Sequence, residues 1–317
     1  MHELTDEQLN KLIFCIDYLK LHADHPERLN AQQISFLREL LSSMIPMLPI
    51  RIEITSGFEL PFERLVINKS VLGKNKRVHS LENLRYPPRS IQEKLDYNRA
   101  SMKGQSIFYA CSMGSLPMTV ETRPERGQLI THSKWKLKEG EKLNLLSIFH
   151  HEELAMANPH ELLQPFNDYL AELRKFSPKA QQAIEMIYQI IVRAFTRKVD
   201  PSNKQGYVVS ALLSELFMFD PNKGVDAIYY PSVPNRGMCM NIAVKPDSLD
   251  QKFIMTQADE FVVISHPEPN KNMWWSFHTA KGKLCKEDSL ELCWENSLMP
   301  DNDPVRDIIR DFEIDLS

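Results

Sequence analysis

The chain begins with two stretches in which apolar residues recur every three or four positions, a spacing that places them on one face of a helix. Capping-box patterns open both stretches, Thr5 with Gln8 in the first and Asn30 with Gln33 in the second. The apolar positions are Leu9, Leu12, Ile13, Ile16 and Leu19, then Ile34, Leu37, Leu41, Met44 and Ile45. The pattern predicts an N-terminal helical extension over residues 1–50. We expect its apolar stripes to pack against the main body, with a homodimer contact as the alternative.

Beyond residue 58 the pattern changes to short apolar or alternating runs that are typical of strands. These runs are FERLVIN, GQSIFYA, LITHSKWKL, LNLLSIF, VDAIYY, MCMNIAV, FVVIS and WWSFHTA. The segment from Ser115 to Glu121 fits either a short helix or a turn into another strand. A helical block lies between the fourth and fifth runs, and DIIRDFEIDLS at the end of the chain reads as a last short helix. The alternation predicts an α+β domain over 51–317 with a helical insertion at about 158–219.

Composition limits the classes of function that remain open. The chain has 317 residues and a formal net charge of -4, which argues against a broad electrostatic surface for nucleic acid or membranes. No apolar run is long enough to cross a bilayer, and the acidic start MHELTDEQLNK is unlike a secretory signal. The five cysteines are scattered without CxxC spacing. We therefore expect a cytoplasmic protein.

The common catalytic and nucleotide-binding motifs are missing. The sequence contains no GxGxxG, no phosphate-binding glycine–lysine loop, no GxSxG and no HExxH. His150-His151 is followed by two glutamates, but the spacing is not that of a zinc site, so we expect no metal. With only 10 glycines, a backbone cradle for phosphate is not expected either. If the protein binds phosphate groups, arginines must supply most of the contacts.

One stretch, NRASMKGQSIFYACSMGSLPMTVE, concentrates candidate chemistry. Arg99 precedes a predicted strand, Tyr109 lies near its end, and Glu121 follows a mostly apolar run that would carry a carboxylate inward. The alternative is that Arg99 and Glu121 form an ordinary surface pair and Tyr109 is a core aromatic. Ser232 follows a later predicted strand, where its hydroxyl either faces a cleft or belongs to turn chemistry.

Taken together, FERLVIN, ENLRYPP, YNRASMKGQSIFYA, VE and DAIYYPSVPNRGMCMNIAV resemble the RES domain, a family named for an arginine, a glutamate and a serine. The resemblance covers roughly residues 58 to 265 and lies in the order of several blocks. Ser101 stands where members of the family usually have an asparagine, two residues after the arginine. The matching positions are Arg64, Arg99, Gly104, Tyr109, Glu121, Ser232, Gly237 and Asn241.

The resemblance implies a fold similar to ADP-ribosyltransferases, with a split β-sheet core. It implies an enzyme that uses NAD as a substrate and needs no other cofactor: an NAD glycohydrolase or phosphorylase. Many relatives are toxins of bacterial toxin–antitoxin pairs that a helix-turn-helix antitoxin protein neutralises, so such a partner is an expectation here. Two alternatives stay open: ADP-ribosyl transfer to a protein target, and a non-catalytic interaction module.

The resemblance also assigns roles to individual side chains. Glu121 would stabilise the sugar cation that forms when nicotinamide leaves. Arg64 and Arg99 would hold the pyrophosphate with their planar guanidinium groups. Tyr109 would stack on the nicotinamide ring. The catalytic set is thus Glu121, Arg99 and Tyr109, and the NAD-binding set is Arg64, Arg99, Tyr109, Ser232 and Asn241.

Overall fold

The protein has a mixed α+β structure in which most strand pairs are antiparallel. It is a computed structural model. The residues described are 4–23, 25–48, 52–55, 61–112, 115–148, 167–200, 202–220, 223–233, 239–265, 275–286, 289–297 and 304–317. The chain forms two compact units. Unit 1 comprises Met1–Thr55, Arg89–Ile107 and Leu143–Lys245, and unit 2 comprises Ser56–Pro88, Phe108–Lys142 and Pro246–Ser317.

The elements are numbered in chain order. The α-helices are α1 (Asp6–Ala23), α2 (Ala31–Met44), α3 (Asn68–Leu72), α4 (Ser115–Thr122), α5 (Pro178–Thr196), α6 (Val208–Met218), α7 (Pro246–Lys252) and α8 (Pro304–Asp311). The strands are β1 (Ile52–Thr55), β2 (Phe62–Ile67), β3 (Phe108–Cys111), β4 (Leu129–Leu137), β5 (Leu143–Ser147), β6 (Ala227–Pro231), β7 (Met240–Val244), β8 (Phe253–Ser265), β9 (Trp275–Leu284) and β10 (Leu292–Asn296). A further helical segment covers 167–173.

Both predicted N-terminal helices are confirmed, and both begin at the predicted caps. Thr5 and Gln8 exchange backbone-to-side-chain hydrogen bonds, as do Asn30 and Gln33. Each exchange satisfies two backbone N–H groups that would otherwise lack partners. The stripe of α1 that contains Leu12 and Leu19 is buried, and α1 packs on α5. The predicted domain boundary at residue 50 stays a prediction, and α1 and α2 belong to unit 1.

In unit 1, four strands lie in the order β1-β5-β6-β7. The β5–β6 pair is parallel and the other two pairs are antiparallel. Ser177 precedes α5 with Pro178 at its first position, as predicted, because proline needs no N–H partner there. The predicted buried helix is α6, where nine of eleven residues are buried. Asn158-Pro159, the other predicted helix start, lies outside the described residues, as does His150-His151.

In unit 2, six strands follow the order β3-β2-β4-β8-β9-β10 and every pair is antiparallel. The predicted strand LITHSKWKL coincides with β4, and FERLVIN coincides with β2 except for its last residue. The predicted strand GQSIFYA is confirmed only in its last part, where β3 lies. The segment from Ser115 to Glu121, for which the sequence allowed either a short helix or a turn, is helical and forms most of α4.

A buried ion pair joins the loop after α3 to the centre of β8. Arg77 donates to the Glu260 carboxylate from Nη2 at 2.8 Å and from Nε at 3.2 Å. Thr279 on β9 donates to the same carboxylate at 2.7 Å, and the Arg77 guanidinium lies 5.5 Å from the Trp294 ring centroid. Because its charges are paired and its oxygens are hydrogen-bonded, the Arg77–Glu260 ion pair has a structural role within unit 2.

The β9–β10 hairpin contains two features that the sequence analysis missed. Strand β10 was not predicted, and Cys285 is joined to Cys293 by a disulfide across the hairpin, with a sequence separation of 8. Cys15, Cys111 and Cys239 are buried and take no part in this disulfide. Among the described residues, no helix has both the length and the apolar character needed to span a membrane.

Candidate functional site

Three candidate residues of unit 2 lie on elements that pack against one another. Arg64 belongs to β2, Tyr109 to the neighbouring strand β3, and Glu121 to α4, which contacts both strands. Apolar residues follow Arg64, precede Glu121 and flank Tyr109 on both sides, so each element has apolar side chains with which to pack. Arg64, Tyr109 and Glu121 are all half-buried.

Contacts within unit 2 hold the Arg64 guanidinium in place but leave its Nε donor without an acceptor among the described residues. Its Nη1 donates to the Tyr109 carbonyl at 2.9 Å, and the guanidinium lies 5.3 Å from the ring centroid of Phe108. Phe108 in turn meets Trp135 edge-on at 5.1 Å between centroids. The Arg64 Nε is buried and has no hydrogen-bond acceptor among the described residues. Such an unsatisfied donor calls for a ligand or a water molecule.

Within the described part of the chain, Arg64 also lacks a neutralising carboxylate. Burial lowers the pKa of Arg64 to about 10, an effect that the nearby Tyr109 partly opposes, and no acidic residue among those described contributes. Glu63, its neighbour on β2, alternates to the opposite face of the strand, where its carboxylate lies 4.0 Å from Nδ1 of His132. The pKa of Arg64 stays well above neutral, so the group is a half-buried cation. An anion arriving at this point would be electrostatically favoured.

Glu121 occupies the last turn of α4. The helix dipole disfavours a carboxylate at a C-terminal end, so helix stability does not account for glutamate here. The residue is half-buried, as the apolar run before it predicts. A carboxylate held by a helix against the strands of Arg64 and Tyr109 is suited to stabilise a positive charge.

The other three candidates belong to unit 1. Arg99 is only 9% exposed and lies in the turn Asn98–Ser101, whose end residues exchange backbone hydrogen bonds. Its Nη1 donates to the Phe195 carbonyl at 2.6 Å, and both terminal nitrogens donate to the Arg197 carbonyl at 3.2 Å. These carbonyls lie at the C-terminal end of α5, where backbone oxygens lack helical partners. Arg99 therefore caps α5.

Ser232 and Asn241 lie where β6 and β7 pair. Ser232 is fully buried directly after β6, and its backbone N–H donates to the Cys239 carbonyl at 2.9 Å. Asn241 is opposite Tyr230 in the β6–β7 register and is half-buried. The Tyr230 ring packs on Phe195, whose carbonyl accepts from Arg99. Unit 1 thus brings Arg99, Ser232 and Asn241 into one region. Gly237 lies outside the described residues.

Two aromatic rings that were not predicted from the sequence pack against the two arginines. Phe108 lies beneath Arg64, and Tyr207 lies beneath Arg99 with its ring centroid 4.9 Å from the guanidinium carbon. Phe108 had a local signal, because it forms an aromatic doublet with Tyr109 within the predicted strand GQSIFYA. Tyr207 had none, since it is distant from Arg99 in the chain.

No protein-family model matches the chain, and no curated protein matches it. The resemblance to the RES domain therefore rests on the blocks quoted above. Among the described residues, no group of three or more histidines, cysteines, aspartates and glutamates could hold a metal ion. What unit 2 offers chemically is a half-buried cation, aromatic faces and a half-buried carboxylate on adjoining elements.

Proposed function

We propose that the protein binds NAD and breaks the bond between nicotinamide and ribose. The observation that carries the proposal is the state of Arg64, a half-buried cation with no acidic partner among the described residues and an unsatisfied Nε. The RES-like order of the blocks around it supports NAD as the anion. We also propose that the fold is of the ADP-ribosyltransferase type, which the mixed α+β architecture and mostly antiparallel strand pairs support.

In this proposal Arg64 donates to a pyrophosphate oxygen through Nε, the nitrogen that has no acceptor among the described residues. Its Nη1 keeps the bond to the Tyr109 carbonyl, so the guanidinium is held in place before the ligand arrives. Such preorganisation reduces the entropy lost on binding. Tyr109 provides a flat, half-buried ring for nicotinamide, and the charge of Arg64 is neutralised by the phosphates.

Cleavage breaks the bond between C1′ of the ribose and the pyridinium nitrogen. The electron pair returns to that nitrogen, so nicotinamide leaves as a neutral molecule and needs no proton. The sugar becomes an oxocarbenium-like cation, which the Glu121 carboxylate stabilises. Water then adds to C1′ and loses a proton to give ADP-ribose; phosphate adding in its place gives ADP-ribose phosphate.

The direct test is to incubate the purified protein with NAD and measure free nicotinamide by chromatography. We expect nicotinamide release by the wild type, and a rate lower by about a hundredfold or more in Glu121→Gln, because the amide cannot balance the developing charge. Glu125→Gln is the matched control, since Glu125 is an exposed carboxylate just beyond α4. Wild-type release by Glu121→Gln would refute the role of Glu121, and absence of nicotinamide with the wild type would refute the proposed activity.

Arg64→Lys tests binding separately from chemistry. Lysine keeps the charge but cannot hold the Tyr109 carbonyl and a phosphate oxygen in one planar geometry. We expect NAD binding to weaken by about tenfold or more in calorimetric titrations. Arg126→Lys, an exposed arginine of unit 2, should bind as the wild type does. Equal affinity in Arg64→Lys and the wild type would remove Arg64 from the NAD site.

The incubation with NAD also separates hydrolysis from ADP-ribosyl transfer. Hydrolysis or phosphorolysis gives free ADP-ribose or its phosphate, whereas transfer leaves the label of adenine-labelled NAD on an acceptor. A toxin role, with a helix-turn-helix antitoxin as partner, is part of the proposal through the family resemblance alone. Its test is loss of cellular NAD and growth arrest on expression, both absent with Glu121→Gln.

A further inference from the structure

The N-terminal helices expose an aromatic and aliphatic surface that their own core does not use. Leu21 is 72% exposed, Phe14 is 53% exposed and Phe36 is 41% exposed. The Phe14 and Phe36 rings meet edge-on at 6.4 Å, and Tyr18 meets Phe36 at 5.0 Å between centroids. We call the surface formed by Phe14, Tyr18, Leu21 and Phe36 the aromatic face. Large apolar groups gathered at one exposed place mark interaction surfaces more often than scattered ones do.

The aromatic face lies on the side of α1 that points away from the core. Asn10, Phe14, Asp17 and Leu21 follow one another at spacings of four, three and four residues, so they form one stripe of the helix. All four are exposed. The opposite stripe, which includes Leu12 and Leu19, is buried and packs on α5. Helix α1 therefore has a buried apolar stripe that packs on α5 and an exposed, mixed stripe that carries Phe14 and Leu21.

The charges beside Phe14 identify the partner that this surface fits. Lys11 lies three residues before Phe14 and Asp17 lies three residues after it, and both are exposed; Lys11 also pairs with Glu7 of its own helix at 2.9 Å. If two copies of α1 pair antiparallel with Phe14 on the two-fold axis, Lys11 of each copy faces Asp17 of the other. The pattern is complementary to itself, as a symmetric dimer interface requires.

We propose that the aromatic face is a homodimer interface, in which α1 of one chain packs antiparallel on α1 of a second copy. Phe14 packs against Phe14 of the partner subunit at the centre, with Phe36 and Tyr18 widening the contact from α2 and α1. Two ion pairs between Lys11 and Asp17 flank the centre. This inference concerns assembly only and does not depend on NAD cleavage.

The size of the face predicts how tight the dimer is. Helix α1 has 18 residues and is therefore about 27 Å long, and two adjacent helices are about 20 Å wide, which gives about 540 Å² per chain. Stable interfaces bury about 800 Å² per partner, so this one falls at the small end. We expect a dimer whose dissociation constant is in the micromolar range and whose population rises with concentration.

Sedimentation velocity over a micromolar concentration series tests the interface. We expect the wild-type protein to shift from monomer to dimer, and Phe14→Ser to weaken the dimer by about tenfold or more, because a central aromatic anchor is lost. Leu290→Ser, which changes a 43% exposed leucine of unit 2, is the matched control and should dimerise normally. A wild-type protein that stays monomeric throughout, or a Phe14→Ser variant that dimerises normally, overturns the proposal.

Charge reversal tests the antiparallel geometry without touching the aromatic rings. In K11D each dimer would oppose two carboxylates at both flanks, and in D17K it would oppose two ammonium groups, so each variant alone should dimerise poorly. Mixed together, the two variants place opposite charges face to face at both flanks, and dimers should reappear as mixed pairs. Failure of the mixture to associate better than either variant alone would refute the antiparallel pairing, even if Phe14→Ser proved too unstable to analyse.

Discussion

Arg99 offers the sharpest distinction between a ligand-binding role and a structural one. The family resemblance assigns it to the pyrophosphate of NAD, yet its guanidinium already makes three hydrogen bonds to two backbone carbonyls at the end of α5. It also lies over the Tyr207 ring. The perturbation that separates the roles is Arg99→Lys, which keeps the positive charge but loses the planar set of donors.

The size of the effect follows from the contacts that lysine cannot keep. A hydrogen bond from a charged donor contributes about 1.5–3 kcal/mol net, and a buried carbonyl left without a donor costs about 1–3 kcal/mol. A lysine ammonium can reach one of the two carbonyls, so at least one loses its donor. We therefore expect Arg99→Lys to lower the free energy of unfolding by about 2–4 kcal/mol. For a unit of this size the melting temperature should fall by about 4–16 °C.

Differential scanning calorimetry with and without NAD measures both roles at once. Arg193→Lys is the matched control, because Arg193 is an exposed arginine on the same helix and its replacement should change stability by less than about 0.5 kcal/mol. A structural role predicts a lower melting temperature in the absence of NAD. If Arg99→Lys melts at the wild-type temperature but loses the stabilisation that NAD gives the wild type, Arg99 is a ligand residue and the capping argument is wrong.

Two further predictions concern the stability of unit 2. Arg77→Met should lower its free energy of unfolding by about 3–5 kcal/mol, because Glu260 is left as an unpaired buried carboxylate; the double variant with Glu260→Met should recover most of this loss in chemical denaturation. Breaking the Cys285–Cys293 bridge by Cys285→Ser should lower stability by about 2.5 kcal/mol, as the entropy of a loop of this length gives. An unchanged denaturation midpoint in that variant would show that the bridge does not limit unfolding.

Local signals in the sequence account for the elements that were predicted well. The caps of α1 and α2 depend on side chains three residues apart, and β4 depends on alternation within one strand. Such signals do not need a distant partner. Pro178 illustrates the same rule, since proline fits the first position of α5 and cannot sit in the interior of a helix that continues from the residues before it.

Long-range pairings account for what the sequence did not reveal. Strand β10 contains polar and charged residues, and it becomes a strand because it pairs with β9. Glu260 reads as an exposed residue in the polar run before FVVIS, yet it is fully buried, because Arg77 and Thr279 satisfy its carboxylate. The pairing of Cys285 with Cys293 likewise follows from the hairpin that brings the two residues face to face.

The contrast between Arg64 and Arg99 shows why residue type alone could not rank the candidate site residues. The sequence presents both as arginines beside apolar runs, and the resemblance gives both the same task. In the structure, the terminal nitrogens of Arg99 bind the carbonyls of Phe195 and Arg197, whereas Arg64 keeps a buried Nε that no described acceptor satisfies. A guanidinium whose donors are already engaged by backbone carbonyls gains less from an anion than one that keeps an unsatisfied donor. The anion-binding part of the proposal therefore rests on Arg64, and Arg99 is expected to act by holding the end of α5 in place.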